Sequence, residues 1–242
     1  MTTAREMQAA NQALAKLAQR DLMGFWYGLG TDDPMALKAA LLDFMPELIA
    51  TYGSAAAGLA ADRYDELRAD SVATGAFRAA LADPLPDEQV QAVTRWALGP
   101  AFGDKADPAA ALTMLTDAAQ RLVRQQARNT VALNVERDPF GASYARVPKG
   151  KTTCAFCLML ASRGAVYGSK KSAETIRNSG KHYHTKCDCE AEPVWSADDL
   201  GRLKEQSGYD PDALYDQYAT VHETGMTGKE TAQALRQAYD LK

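Results

Sequence analysis

The chain has 242 residues, 46% of them hydrophobic and 24% charged, with a formal net charge of −4 and a pI of about 5.5. That length suits one or two globular domains, and the acidic balance excludes nucleic-acid binding by bulk charge. No stretch approaches the ~20 apolar residues of a membrane-spanning helix. The start Met1-Thr2-Thr3-Ala4-Arg5-Glu6 lacks the apolar core of a secretory signal, so the expectation is a protein that folds in a cytoplasm without membrane contact.

The first half reads as helix. Met7, Ala10, Leu14, Leu17 and Ala18 recur at helical spacing, followed by the apolar run 22–27. Asp33-Pro34 is a helix start, a capping carboxylate followed by a residue whose missing N–H costs nothing in the first turn. Leu37, Leu41, Leu42, Phe44, Met45, Leu48 and Ile49 continue this helix. Pro46 is expected to kink it, and the alanine-rich stretch 55–68 is helical too. Residues 81–86 are a break. A short helix follows from Asp87 to Leu98, with Val90, Val93 and Trp96/Ala97 on one face. Asp107-Pro108 opens what reads as the longest helix, to about Arg137, with a buried stripe of Leu112, Leu115, Ala119, Leu122, Val123 and Val131. Beyond Trp195, Ser196 is an N-cap with Asp198 and Asp199 in the first turn. Asp210-Pro211 starts another helix, and Thr227 is the candidate cap of a last one. The fold class is therefore mainly α: a helical domain over 1–140, a small α+β metal-binding module over 141–195, and a helical tail over 196–242.

Charge is uneven. Between Gly141 and Glu190 stand Arg146, Lys149, Lys151, Arg163, Lys170, Lys171, Arg177, Lys181 and Lys186, opposed only by Glu174, Asp188 and Glu190. The window carries +6, leaving −10 on the rest. Such a basic module on an acidic body fits a local anionic partner, with Arg146, Lys149, Lys151, Lys170, Lys171, Lys181 and Lys186 as candidate anion or DNA contacts. Equally, these side chains solvate a module expected to be poor in large apolar residues.

All four cysteines fall in the same window, in two knuckles: Cys154-x2-Cys157, and His184-x2-Cys187-x-Cys189. A Cys-x2-Cys turn aims two thiolates at one point, about 2.3 Å from a zinc ion, and a second knuckle 27 residues later closes a tetrahedron. Five ligands compete for four positions: Cys154, Cys157, His184, Cys187 and Cys189. Either Cys187 or Cys189 completes a set with His184, or all four cysteines bind and His184 stands behind them; His182 is a weaker candidate. A closed set of four leaves no place for water, so the zinc is structural. The alternatives are disulfides, which do not suit a chain without a secretion signal, or packed thiols. A redox Cys-x2-Cys is expected at a helix start beside a βαβ unit, and neither is evident from the sequence.

Enzyme motifs are missing. His184 is followed by Thr185-Lys186, so the general-base Glu of zinc deaminases is absent. His-Glu-x2-His and a Gly-x4-Gly-Lys-Ser/Thr phosphate loop are absent as well. The expectation is a protein without catalysis. A zinc-dependent nucleic-acid-binding protein, or an HNH-like nuclease that would have to use His182, is the alternative.

The run 145–164, ARVPKGKTTCAFCLMLASRG, resembles the core signature of MuF-like minor head proteins of tailed bacteriophages, particularly those of actinobacterial phages and prophages. The run 183–190, YHTKCDCE, is similar to that family's closing His-x2-Cys-x-Cys, and 60–68, AADRYDELR, also resembles it. The resemblance implies a minor capsid protein of head morphogenesis, located in the virion at the portal or head interior and in the host cytoplasm during assembly. Its implied partners are portal, capsid or scaffold proteins, and packaged DNA through the basic module.

Overall fold

The computed structural model describes residues 4–31, 33–148, 154–168, 189–221 and 228–240. It is mainly helical. Three long helices and one short one come first: α1 (Ala4–Gly28), α2 (Pro34–Ala69), the short α3 (Asp87–Ala97) and α4 (Pro108–Arg137). Next come β1 (Ser143–Val147), α5 (Ala155–Ala161) and β2 (Glu190–Val194), then α6 (Ala197–Ser207), α7 (Pro211–Ala219) and α8 (Gly228–Tyr239).

The Asp-Pro starts work as expected. Asp33 accepts from the Met35 N–H at 2.9 Å, and Asp107 from the Ala110 N–H at 2.9 Å. Asp210 accepts from Asp212 and Ala213. Ser196 and Asp199 form a full capping box. Pro46 does not interrupt α2, which runs on for 36 residues and is therefore longer than the 30-residue α4. The proline removes one backbone donor, but packing along Leu41, Met45, Leu48 and Ile49 continues on both sides of it.

The helices α2 and α4 form the central pair, with α1 and α3 laid against both. Small residues bring the two axes together: Gly53, Ala56, Ala57, Ala60 and Ala61 on α2 are buried. At Gly53 an added Cβ would stand 2.8 Å from Gln126 Cγ, so any larger residue would have to push the Gln126 side chain aside. The expected stripe of α4 is buried throughout. On α3, Val90 and Ala97 face inward as expected, but Thr94 shares that face and Trp96 points out, 62% exposed.

The connection 70–86 runs without regular structure, yet α4 holds it closely. Gln126, Thr130 and Asn134 are spaced four apart and so share one face of α4. Asn134 bonds both the N–H and the carbonyl of Ala80 at 2.8 Å. Thr130 accepts from the Ala82 N–H at 3.2 Å, and Gln126 donates to the Asp83 carbonyl at 3.0 Å. These side chains stand in for a neighbouring strand and satisfy backbone groups that would otherwise need water.

The strands β1 and β2 pair antiparallel, Ser143 opposite Val194 and Val147 opposite Glu190. The other edge of β1 is covered at Tyr144, whose N–H donates to the Tyr167 carbonyl at 2.8 Å. The hydrophobic core is continuous. Leu22, Leu41 and Leu122 of the helical body share one buried cluster with Tyr144, Cys157, Leu158 and Leu235. A smaller cluster joins Ala145, Val147, Ala161, Leu203 and Tyr209.

Candidate metal centre

The segment Ala155-Phe156-Cys157-Leu158-Met159-Leu160-Ala161 is buried at every position. A helix apolar on all faces must be covered on all faces, and β1, α7 and α8 surround it. This corrects the expectation of a module poor in apolar side chains: the basic residues flank a short segment that belongs to the core. The carbonyls at the end of α5 are satisfied by phenols, Tyr167 donating to Leu160 O at 2.6 Å and Tyr209 to Ala161 O at 2.7 Å. Burial pushes the Tyr167 phenol up to about 12 and also raises that of Tyr209.

Cys154 is the N-cap of α5, with extended backbone (φ −69°, ψ 150°), and its Sγ accepts from the Cys157 N–H at 3.2 Å. The Cys-x2-Cys spacing therefore places both cysteines in the first turn, one sulfur taking a backbone donor that a helix start leaves unsatisfied. The helix start missing from the sequence reading of this pair is thus present. Its flanking strands are antiparallel, so they form no βαβ unit. Cys154, Cys157 and Cys189 are all buried and are not bridged to one another. Cys189 stands one residue ahead of β2, and Arg128 of α4 grips its carbonyl through Nε at 3.0 Å and Nη2 at 2.6 Å.

Among the described residues no group of three or more His, Cys, Asp or Glu side chains is gathered to hold a metal. His182, His184 and Cys187 lie outside the described residues, as do Lys149, Lys151, Lys170, Lys171, Lys181 and Lys186. Of the seven expected anion contacts, Arg146 is described, and its position corrects the expectation. It is 0% exposed, its guanidinium over the Phe156 ring at 5.3 Å and Nη2 3.9 Å from Cys157 Sγ. A phosphate on the surface cannot reach it there.

Buried polar contacts fasten this region to the helical body, and sequence reasoning missed them. Arg63 of α2 pairs with Glu192 of β2 at 2.9 Å, both buried. Asp138, just past α4, accepts from Arg68 Nε at 2.8 Å, Trp195 Nε1 at 2.9 Å, the Phe140 N–H at 3.0 Å and the Tyr64 hydroxyl at 3.2 Å. Burial alone would raise the Asp138 carboxyl, but the Arg68, Trp195 and Phe140 hydrogen bonds outweigh it and hold the group below its ordinary value. Burial and the Asp138 charge together push the Tyr64 phenol up. The signal was in the sequence: Arg63, Tyr64 and Arg68 are polar residues on the otherwise small, apolar face of α2.

Comparison with known proteins gives the chain its place. A family model described as VG15 protein matches residues 1–221. The gene 15 protein of Mycobacterium phage D29 is 33% identical over 118 residues, covering 38% of this chain and 43% of that protein. The gene 15 protein of Mycobacterium phage L5 is 31% identical over 195 residues, covering 62% of each. Both matches span less than two thirds of these curated relatives, and no solved structure matches. The chain belongs to the VG15 protein family, a family with members in actinobacterial phages.

Proposed function

We propose that this chain is a structural, non-catalytic protein of a tailed bacteriophage head, a minor capsid or head-morphogenesis protein that works at the portal and head interior. The observation that carries the reading is family membership over residues 1–221 together with mycobacteriophage relatives. The MuF-like run 145–164 and the His-x2-Cys-x-Cys run 183–190 support the narrower assignment. No helix among the described residues is long and apolar enough to cross a membrane, which fits a partner made of protein or DNA.

The same reading includes one structural zinc. The donor chemistry supports it: the described cysteines are unbridged to one another, and two of them stand in the first turn of one helix, supplying the sulfur ligands that a structural zinc takes. Cys154 and Cys157, with His184 and one of Cys187 or Cys189, would hold the ion.

Two measurements test the reading. Particles from the phage or prophage encoding the chain are banded by density and analysed by mass spectrometry; a few copies per particle are expected. Absence from both mature and precursor heads overturns the head assignment. Elemental analysis of the purified chain should give about one zinc, and a metal-free chain with unchanged protection of α5 against hydrogen exchange overturns the metal assignment.

A further inference from the structure

The seam by which α1 packs on the body is apolar except at one position. Met7, Ala15, Ala18 and Leu22 are buried at helical spacing, and Asn11 stands among them, 1% exposed. Neither Oδ1 nor Nδ2 of Asn11 has a hydrogen-bond partner among the described residues. A side-chain amide carries two donor hydrogens and an acceptor oxygen, and burying it without partners is costly. Asn11 lines a cavity of about 10 Å³ between α1, α2, α4 and β2, about the space that one water molecule needs. The polar wall of that cavity also includes Arg63 and Tyr64 of α2, Arg128 of α4, and Glu190 and Glu192 of β2. All six of these residues are at most 5% exposed, so the wall is closed to bulk solvent. An apolar cavity of this kind stays dry, whereas one with several polar groups around it holds water.

We propose that this cavity is a binding site for a single internal water, which accepts from Asn11 Nδ2 and donates to a carboxylate of β2. Glu192 can serve as that acceptor without giving up its ion pair with Arg63, because an ionised carboxylate offers about four lone-pair sites. The water joins α1 to a stretch of chain that the other two long helices already hold, α2 through Arg63 to Glu192 and α4 through Arg128 to the Cys189 carbonyl. A bridging water serves nearly as well in such a place as a direct hydrogen bond. All three long helices of the body are then fastened at one point to the strand that follows Cys189. The site is independent of the zinc and of the head assignment.

Two magnetic-resonance measurements on the full chain test the site. The side-chain amide protons of Asn11, assigned through the backbone, should show cross-relaxation to a water held far longer than surface hydration. The oxygen-17 relaxation dispersion of the solvent, which hydroxyl protons such as that of Tyr64 do not affect, counts long-lived waters. That count should fall by one in Asn11→Leu, which keeps the bulk of the side chain and removes its polar atoms. Should Asn11→Leu fail to fold, the parent chain decides through its own amide protons. An Asn11 amide that meets no long-lived water overturns the inference, as does a coupling through a hydrogen bond from that amide to a protein carbonyl or carboxylate. An unchanged water count in a folded Asn11→Leu overturns it as well.

Discussion

The helical body and the region that starts at residue 141 are joined by different chemistry. Within the body, α2 meets α4 through Leu41, Ala56, Ala60, Leu115 and Leu122, with Gly53 setting the separation. Across the junction the shared apolar core is supplemented by buried polar contacts: Arg63 to Glu192, Trp195 to Asp138, which Arg68 holds from the body side, and Arg128 to the Cys189 carbonyl. Apolar packing tolerates many exchanges of similar volume. A buried ion pair tolerates few, because removing one partner strands the other charge. The body is therefore specified loosely and the junction tightly. The run 60–68 carries much of that specification: Arg63, Tyr64, Asp65 and Arg68 bind Glu192, Asp138, the Ala79 N–H and Asp138 again.

The largest effect should come from Cys154→Ser combined with Cys157→Ser, or from chelation of the proposed zinc. Because α5 shares its core with α7 and α8, hydrogen exchange should show loss of protection in β1, α5, α7 and α8, while the α2–α4 pair keeps it. Loss confined to residues 141–195 would mean that the shared core carries little energy.

Next in size is Asp138→Ala, expected to cost about 3–5 kcal/mol in denaturant unfolding by stranding Arg68 in the interior. The carboxyl of Asp138 is held below its ordinary value, so its contribution is complete above pH about 4 and fades as pH falls below that. The variant should therefore differ most from the parent near neutral pH and least in strong acid. A cost under about 1 kcal/mol would reverse the contrast between junction and body. Gly53→Ala should cost about 1–3 kcal/mol, since the new methyl must displace Gln126 and break its bond to Asp83.

Alkaline pH offers a gentler probe. The Tyr167 and Tyr209 phenols are raised by burial, so their neutral forms contribute stability that is complete below pH about 10 and lost above it. Tyrosinate absorbance should rise together with exchange in α5, ahead of α2 and α4. At the bottom of the scale, Trp96→Ala on the exposed face of α3 should change stability by no more than about 0.5 kcal/mol. A larger loss would place Trp96 in the core after all.

Much of the fold was legible in the sequence wherever the physics is local. Asp33-Pro34, Asp107-Pro108, Asp210-Pro211 and the Ser196–Asp199 box each act within one turn, and all four begin helices. The stripe of α4 is a repeat of 3.6, and it was read correctly because apolar residues mark it. The second stripe on the same helix, Gln126, Thr130 and Asn134, went unread because polar residues ordinarily signal solvent. Only the chain folded against it shows that they hydrogen-bond the stretch from Ala80 to Asp83. Trp96 and Thr94 were exchanged for a related reason: size and hydrophobicity favoured the tryptophan, while packing against α2 and α4 selected the small residue.

The candidate site divides in the same way. The pairing of cysteines by close spacing, and the thiol chemistry it implies, is written in the residues, because two side chains three positions apart at a helix start must lie near each other. That Arg146 is a core cation and not a surface contact was decided by tertiary structure alone. Its sequence context is mixed, with Tyr144, Ala145 and Val147 beside it and Lys149 and Lys151 just beyond. Its neighbours in space, Cys157, Phe156 and the face of β2 carrying Ala191, come from segments 10 to 45 residues away. Local sequence fixes backbone conformation within a turn or a strand. The surroundings of a charge depend on which distant segments close over it, and only the completed fold determines that.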